Sequence, residues 1–140
     1  MPKKIILLSA FWLMVFSSVC LAEHMCYVDS EGATGYYVDV DTIVVAPDGA
    51  TSDNICDATT AVVKVRENRR YLYRMQFDRG LNKYRIFETT VQVYDSKKVL
   101  ENNWNPTGWQ SYGLSSPMHA IVEYIYELRA EEARKNAKSY

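Results

Sequence analysis

Side chains of alternating character fill the middle of the chain and constrain its fold more than any other feature. The segment RRYLYRMQFD places Tyr71, Tyr73, Met75 and Phe77 on one side of an extended backbone, and Leu72, Arg74, Gln76 and Asp78 on the other. A period of two over ten residues predicts a β-strand with one face turned towards a core.

The same pattern predicts strands before and after this segment. The candidates are HMCYVDS, TGYYVDVDTIVVA, TTAVVKVRE, YRIFETTVQVYD and VLENNW. We expect Ala61, Val63 and Val65 to share one face, and likewise Phe87, Thr89, Val91 and Val93. Between the strands the chain has no helix long enough for a parallel crossover, so the prediction is a meander of about five to six antiparallel strands.

The period changes only near the C-terminus. Ser116 can cap a helix that has Pro117 in its first turn, and Ile121, Tyr124, Ile125 and Leu128 then recur at helical spacing. The predicted fold class is therefore α+β, an antiparallel sheet packed against a C-terminal α-helix. Half of residues 129–140 are charged, and both a helical extension and a frayed tail remain open for this segment.

The N-terminal segment MPKKIILLSAFWLMVFSSVCLAEH has the pattern of a secretory signal peptide. Two lysines precede an apolar run, and small residues lead to a cleavage site after Ala22. The apolar run is shorter than a membrane span needs, so no span is expected after cleavage of residues 1–22. Lipidation at Cys20 is a minority alternative, because Val19 stands where lipoprotein signals usually carry a smaller residue. The expected location is the periplasm or the cell surface.

The net charge of the mature chain limits which class of partner it can bind. Removing Lys3 and Lys4 from the 16 Lys and Arg leaves 14 against 17 Asp and Glu, a net charge of −3 with both histidines neutral. Binding of nucleic acid needs a basic surface, so a nucleic-acid partner is not expected.

Two cysteines, Cys26 and Cys56, remain in the mature chain. Thiols tend to be oxidised in exported proteins, so one disulfide closing a loop of about 30 residues is the simplest expectation, worth about 3 kcal/mol. Metal binding is the alternative, although two cysteines and two distant histidines lack zinc spacing.

The order of segments resembles a known family. YYVDVDTIV, AVVKV and VYDSKKVLENNWNPTGWQSYGLSSP, followed by a terminal helix, resemble the surface-adhesin protein E-like domain of secreted bacterial proteins, which residues 23–128 would form. The resemblance implies an exported sheet-and-helix domain that binds a protein partner, such as a host extracellular-matrix protein, and can form a homodimer. Members often carry a second cysteine at the end of the terminal helix, which this chain lacks.

Residues that could support catalysis are few. His24 and His119 lie in no recognisable motif, and we expect both at the surface. Asp39 and Asp41 are spaced like paired carboxylates, but a role in forming a turn is favoured. No phosphate loop, nucleophile elbow or metal-binding helix motif is present in the sequence, so we expect neither an enzyme nor a cofactor.

Binding is the stronger hypothesis, because the predicted sheet carries many tyrosines and arginines. Tyrosine suits interfaces, since it joins apolar area to a hydroxyl group, and a surface of tyrosine and arginine could bind an acidic partner or a glycan. The candidate binding residues are Arg69, Arg70, Tyr71, Tyr73, Arg74, Arg85, Trp104 and Trp109. The alternative is that they are ordinary solvent-facing residues of a one-sided sheet.

The stretch ENNWNPTGWQSYGLSSPMHA links the sheet to the helix. It could present its two tryptophans to a partner, or it could cross from the sheet edge to the helix. We favour the second interpretation, in which Trp104 or Trp109 plugs the end of the core, because large aromatic side chains at such a junction supply much buried area.

Overall fold

A computed structural model of the protein describes residues 23–139. The predicted signal segment, residues 1–22, lies outside them. Residues 23–139 contain seven strands, a short 3₁₀ turn at Val65–Glu67 and one helix. The strands are β1 (Met25–Glu31), β2 (Thr34–Val45), β3 (Ile55–Lys64), β4 (Arg69–Asp78), β5 (Lys83–Val93), β6 (Val99–Trp104) and β7 (Gln110–Ser111); the helix is α1 (Pro117–Ala137).

The strands form one antiparallel meander, which confirms the predicted α+β class. Strands β1 to β6 are neighbours in chain order, and β7 pairs with β5. The β1–β2 hairpin turns through two residues, and Gly32 there has φ of 58°, a conformation that glycine adopts without steric cost.

Helix α1 covers one face of the sheet, here called the inner face; the opposite face is the outer face. Ser116 caps the helix, accepting a hydrogen bond from the His119 amide at 3.3 Å, and Pro117 follows in the first turn. The predicted apolar stripe points inwards, with Ile121 and Ile125 buried. Their strand partners in the core are Val38, Ile43, Cys56, Ala58, Met75 and Phe77. Among residues 23–139, no helix is long and apolar enough to cross a membrane.

Two predictions of strand alternation fail at specific residues. The β4–β5 register pairs Arg74 with Glu88 and then Met75 with Ile86, so Phe87 is an extra residue between paired positions. This β-bulge turns Phe87 towards the face opposite that of Thr89 and Val91, which the sequence pattern had placed beside it. Val65 leaves the strand pattern altogether and is exposed in the 3₁₀ turn.

The predicted Cys26–Cys56 disulfide is not formed, because both cysteines are free thiols. Cys26 pairs with Val38 of β2, which in turn pairs with Thr60 of β3, four residues along that strand from Cys56. Two strand spacings and four residues separate the cysteine Cα atoms by roughly 16 Å. A disulfide needs these atoms within about 7 Å.

The prediction that a tryptophan plugs the core is also wrong. Trp104 is 62% exposed and Trp109 is 39% exposed. Tyr112, from the same stretch, is 8% exposed and belongs to the core beside the start of α1. The stretch therefore closes the core, but with a tyrosine.

Thiol labelling checks the cysteine assignment. At pH 8 a disulfide reagent should modify Cys26, which is half-buried, much faster than Cys56. Burial raises the pKa of the Cys56 thiol to about 12, so at pH 8 that side chain is protonated and unreactive in the folded protein. Unfolding in urea should expose two reactive thiols per mature chain, those of Cys26 and Cys56. Fewer than two thiols in urea without reductant would contradict the structure.

Candidate functional site

The structure divides the predicted binding residues between the two faces. Arg69, Tyr71 and Tyr73 alternate with Arg70, Leu72 and Arg74 along β4 and share the side of Met75 and Phe77. Arg70, Arg74, Arg85, Trp104 and Trp109 belong to the outer face, and four of these five form a cluster. The residues predicted from the sequence to form one binding surface therefore lie on two opposite faces of the sheet.

Tyr73 lines an inner-face groove of about 520 Å³ beside the start of α1. Tyr36, Tyr84 and Tyr112 contribute to the same groove. Helix α1 packs mainly on β1 and β2, so it leaves this part of the inner face open. Burial raises the pKa of Tyr73, whose hydroxyl therefore stays protonated at neutral pH.

A polar ladder crosses the outer face and fixes Arg85. The Gln76 side-chain amide donates a hydrogen bond to Asp57 Oδ1 at 2.9 Å. Arg85 donates to Gln76 Oε1 from Nε at 2.9 Å and from Nη2 at 2.6 Å. Because β3, β4 and β5 are adjacent, these three residues lie side by side and hold the guanidinium in one orientation.

The Arg85 guanidinium lies over two aromatic rings. Its carbon is 4.6 Å from the centre of the Trp109 ring and 5.1 Å from that of Phe87. A guanidinium over an aromatic face is attracted by the ring quadrupole. Trp109 is thus tied to the sheet by Arg85, although it belongs to an irregular connection.

A second ladder of hydrogen bonds, two residues away along β4, fixes Arg74. Arg74 Nη1 donates to Glu88 Oε2 at 3.1 Å, and the Asn102 amide donates to Glu88 Oε1 at 2.9 Å. The hydrogen bond from Asn102, followed by that from Arg74, lowers the pKa of Glu88, which is therefore ionised at neutral pH. The Arg74 guanidinium carbon lies 5.5 Å from the centre of the Trp104 ring.

Phe87 joins the two ladders. Its ring stacks on that of Trp104, with centres 6.1 Å apart and planes 14° apart. The β-bulge that turns Phe87 to the outer face makes this stack possible. Arg74, Arg85, Phe87, Trp104 and Trp109 together are called the arginine–tryptophan cluster below.

A shallow groove of about 450 Å³ runs beside the cluster. Val44 and Thr59 line its far side and Trp104 its near side. The pairing of β2 with β3 is irregular between Asp39 and Val44, and Val44 is exposed there. The exposed tryptophan and valine make this part of the outer face apolar, with hydrogen-bonding groups at its border.

The two histidines and the two aspartates lie away from the cluster. His24 is exposed, as predicted, with Nδ1 3.6 Å from Asp41. His119 is half-buried against Tyr112, so its predicted surface position is only partly right. Its Nδ1 is buried and has no hydrogen-bond partner among residues 23–139. Asp39 is buried and accepts hydrogen bonds from the amides of His24 and Asp41. Both aspartates lie within strand β2, so the predicted turn is not formed there.

Sequence reasoning missed the residues that organise the cluster. Gln76, Glu88 and Asn102 were unremarkable in the sequence, and Phe87 was expected on the other face. Within residues 23–139, no group of three or more His, Cys, Asp or Glu side chains is placed to hold a metal ion.

The fold and the cluster together define a sheet-and-helix domain with an exposed aromatic surface. No protein-family model, curated protein or solved structure matches this chain.

Proposed function

We propose that this protein is an exported binding module of the bacterial cell envelope, and that the arginine–tryptophan cluster is its binding surface. One observation carries the proposal: two large tryptophan side chains are exposed on the outer face, and each is held by an arginine. The predicted signal peptide and the resemblance to surface-adhesin protein E-like domains support export and binding as its role.

The chemistry of the cluster favours a protein partner. Tryptophan and arginine are the residue types most enriched among those that dominate protein interfaces. Both ladders hold the cluster in place before any partner arrives, which lowers the entropy that binding must overcome. The charges of Arg74 and Arg85 are balanced by the nearby carboxylates of Glu88 and Asp57, so the cluster offers chiefly aromatic area and hydrogen bonds.

Adhesion to a host extracellular-matrix protein is the specific form of this function that the family resemblance suggests. The second candidate is an accessory envelope protein whose cluster binds another bacterial component. Both candidates use the same surface and differ in partner. Surface-plasmon measurements on immobilised vitronectin and laminin, with monomer and any dimer assayed separately, distinguish them. Binding supports adhesion, and no binding by either form removes it.

Removing both tryptophan rings should abolish most binding. The double variant Trp104→Ala/Trp109→Ala should weaken affinity for the partner by about 30-fold or more, the effect of losing at least one dominant interface residue. The melting temperature should change little, since neither ring belongs to the core. Affinity is measured by titration of the purified partner.

Leu114→Ala is the matched control, because Leu114 is an exposed apolar side chain that does not belong to the cluster. It should leave affinity unchanged. Full affinity in the double tryptophan variant would refute the proposed surface, whichever partner is used.

A further inference from the structure

A second feature of the outer face lies at its other end, where Arg70 is buried. Arg70 is four residues before Arg74 on β4, which separates the two by about 13 Å, yet its side chain is only 6% exposed. It lines a pocket of about 310 Å³ that includes Tyr37, Val63 and Tyr94. A buried guanidinium is stable only when its charge and its N–H groups find partners.

The partners of Arg70 come from opposite ends of the fold. Nη1 donates to Gln92 Oε1 on β5 at 3.2 Å, and Nη2 forms an ion pair with Glu23 Oε2. Glu23 precedes β1, so no strand pairing fixes it, and its side chain is 42% exposed. The carboxylate in this pocket is therefore supplied by a residue outside the sheet.

Lys97 adds a second cation at the rim of the pocket. Its Nζ donates to the Tyr94 carbonyl at 2.6 Å and lies 4.5 Å from the centre of the Tyr94 ring. Across residues 23–139, Lys97 forms no ion pair with any carboxylate. Two cationic side chains thus face a pocket that contains one carboxylate, and the excess positive charge favours an anion.

We propose that the Arg70 pocket is a carboxylate-binding site, which Glu23 fills in this structure and which can exchange Glu23 for an aspartate or glutamate side chain of a protein partner. The Arg70 guanidinium, which Gln92 Oε1 helps to orient, supplies hydrogen bonds to the incoming carboxylate, and Lys97 supplies further charge. The inference that the partner is a protein rests on the proposed function, because the pocket and the cluster share the outer face. The inference that the pocket binds an anion does not depend on the proposed function.

Chemical rescue with acetate tests the site without any partner. The variant Glu23→Ala, produced from the full-length chain, removes the resident carboxylate and leaves its space. Its melting temperature should be lower than that of the natural protein in sodium chloride. Replacing chloride with sodium acetate at equal ionic strength should raise it by about 3 °C or more, because the anion binds the folded state only. The natural protein should shift by less than about 1 °C.

Three further variants make the outcome decisive. Glu101→Gln, which removes an exposed carboxylate on β6, should respond to acetate as the natural protein does. Arg70→Met combined with Glu23→Ala should lose the rescue, and Lys97→Met combined with Glu23→Ala should require several-fold more acetate. If Glu23→Ala does not fold in chloride, recovery of its far-ultraviolet circular dichroism in acetate is the readout.

Equal acetate shifts in all variants, or no shift in Glu23→Ala, would overturn the carboxylate site. Loss of partner binding in the double tryptophan variant would be unaffected by that result, so failure of the site and failure of the proposed function are distinguishable. A peptide rich in aspartate and glutamate should raise the melting temperature of Glu23→Ala as acetate does. If acetate raises it and the peptide does not, the site binds small carboxylates only, and the exchange with a partner side chain is refuted.

Discussion

Replacing Phe77 with alanine should lower the free energy of unfolding by about 3–5 kcal/mol. Phe77 is fully buried and is the largest side chain in the core with no exposure. It pairs with Cys56 on β3 and packs among the residues beneath α1, so alanine leaves a cavity that the sheet cannot collapse around. Urea denaturation followed by circular dichroism measures the loss.

Phe87→Ala is the matched control for Phe77, because it removes the same ring from the same sheet on the opposite face. Phe87 is half-buried and belongs to the arginine–tryptophan cluster rather than to the core. Its loss should cost about 1 kcal/mol, in proportion to the smaller area removed from water. Equal losses of stability in the two variants would contradict the assignment of a single core beneath the helix.

Ile125→Ala should also be strongly destabilising, by about 2–5 kcal/mol. Ile125 is fully buried where α1 packs against the inner face. Helix α1 is the only layer that covers this face within the described part of the chain, so loosening it exposes the whole core to water. The change in unfolding free energy, again from urea titration, gives the magnitude.

Lys135→Ala tests whether the loss of stability comes from the contact of Ile125 with the sheet or from any substitution in the helix. Lys135 lies on the same helix, in its exposed last turns, where a substitution should change stability by no more than about 0.5 kcal/mol. A loss for Lys135→Ala as large as that for Ile125→Ala would mean that helix formation, rather than docking, controls stability.

The fold was predictable where local patterns act alone. The alternation along β4 predicted which of its side chains reach the core, and Ser116 with Pro117 predicted the start of α1 within the correct turn. Phe87 could not be assigned, because counting by twos assumes an unbroken register and a β-bulge is decided by pairing with another strand. The failed disulfide has a similar cause, since separation along the chain says nothing about displacement across a sheet.

The candidate site was predictable in residue type but not in arrangement. The prediction was of a surface of tyrosines and arginines, and it included Trp104 and Trp109 as further candidates. Arg74, Arg85, Trp104 and Trp109 do meet on the outer face, whereas Tyr71 and Tyr73 lie on the inner face. The expectation that a tryptophan fills the core relied on ring size alone. Size does not decide which aromatic side chain of a connecting segment is buried, and Tyr112 takes that place.

The sheet and the helix differ in how far apart along the chain their contacting residues lie. Every strand from β1 to β6 pairs with its neighbour in the chain, so the sheet is built from contacts of low sequence separation, which form quickly. Helix α1, however, packs on β1 and β2, the strands furthest from it along the chain. The core therefore cannot close until α1 packs on β1 and β2, and loss of either of these terminal parts of the fold uncovers the same apolar surface.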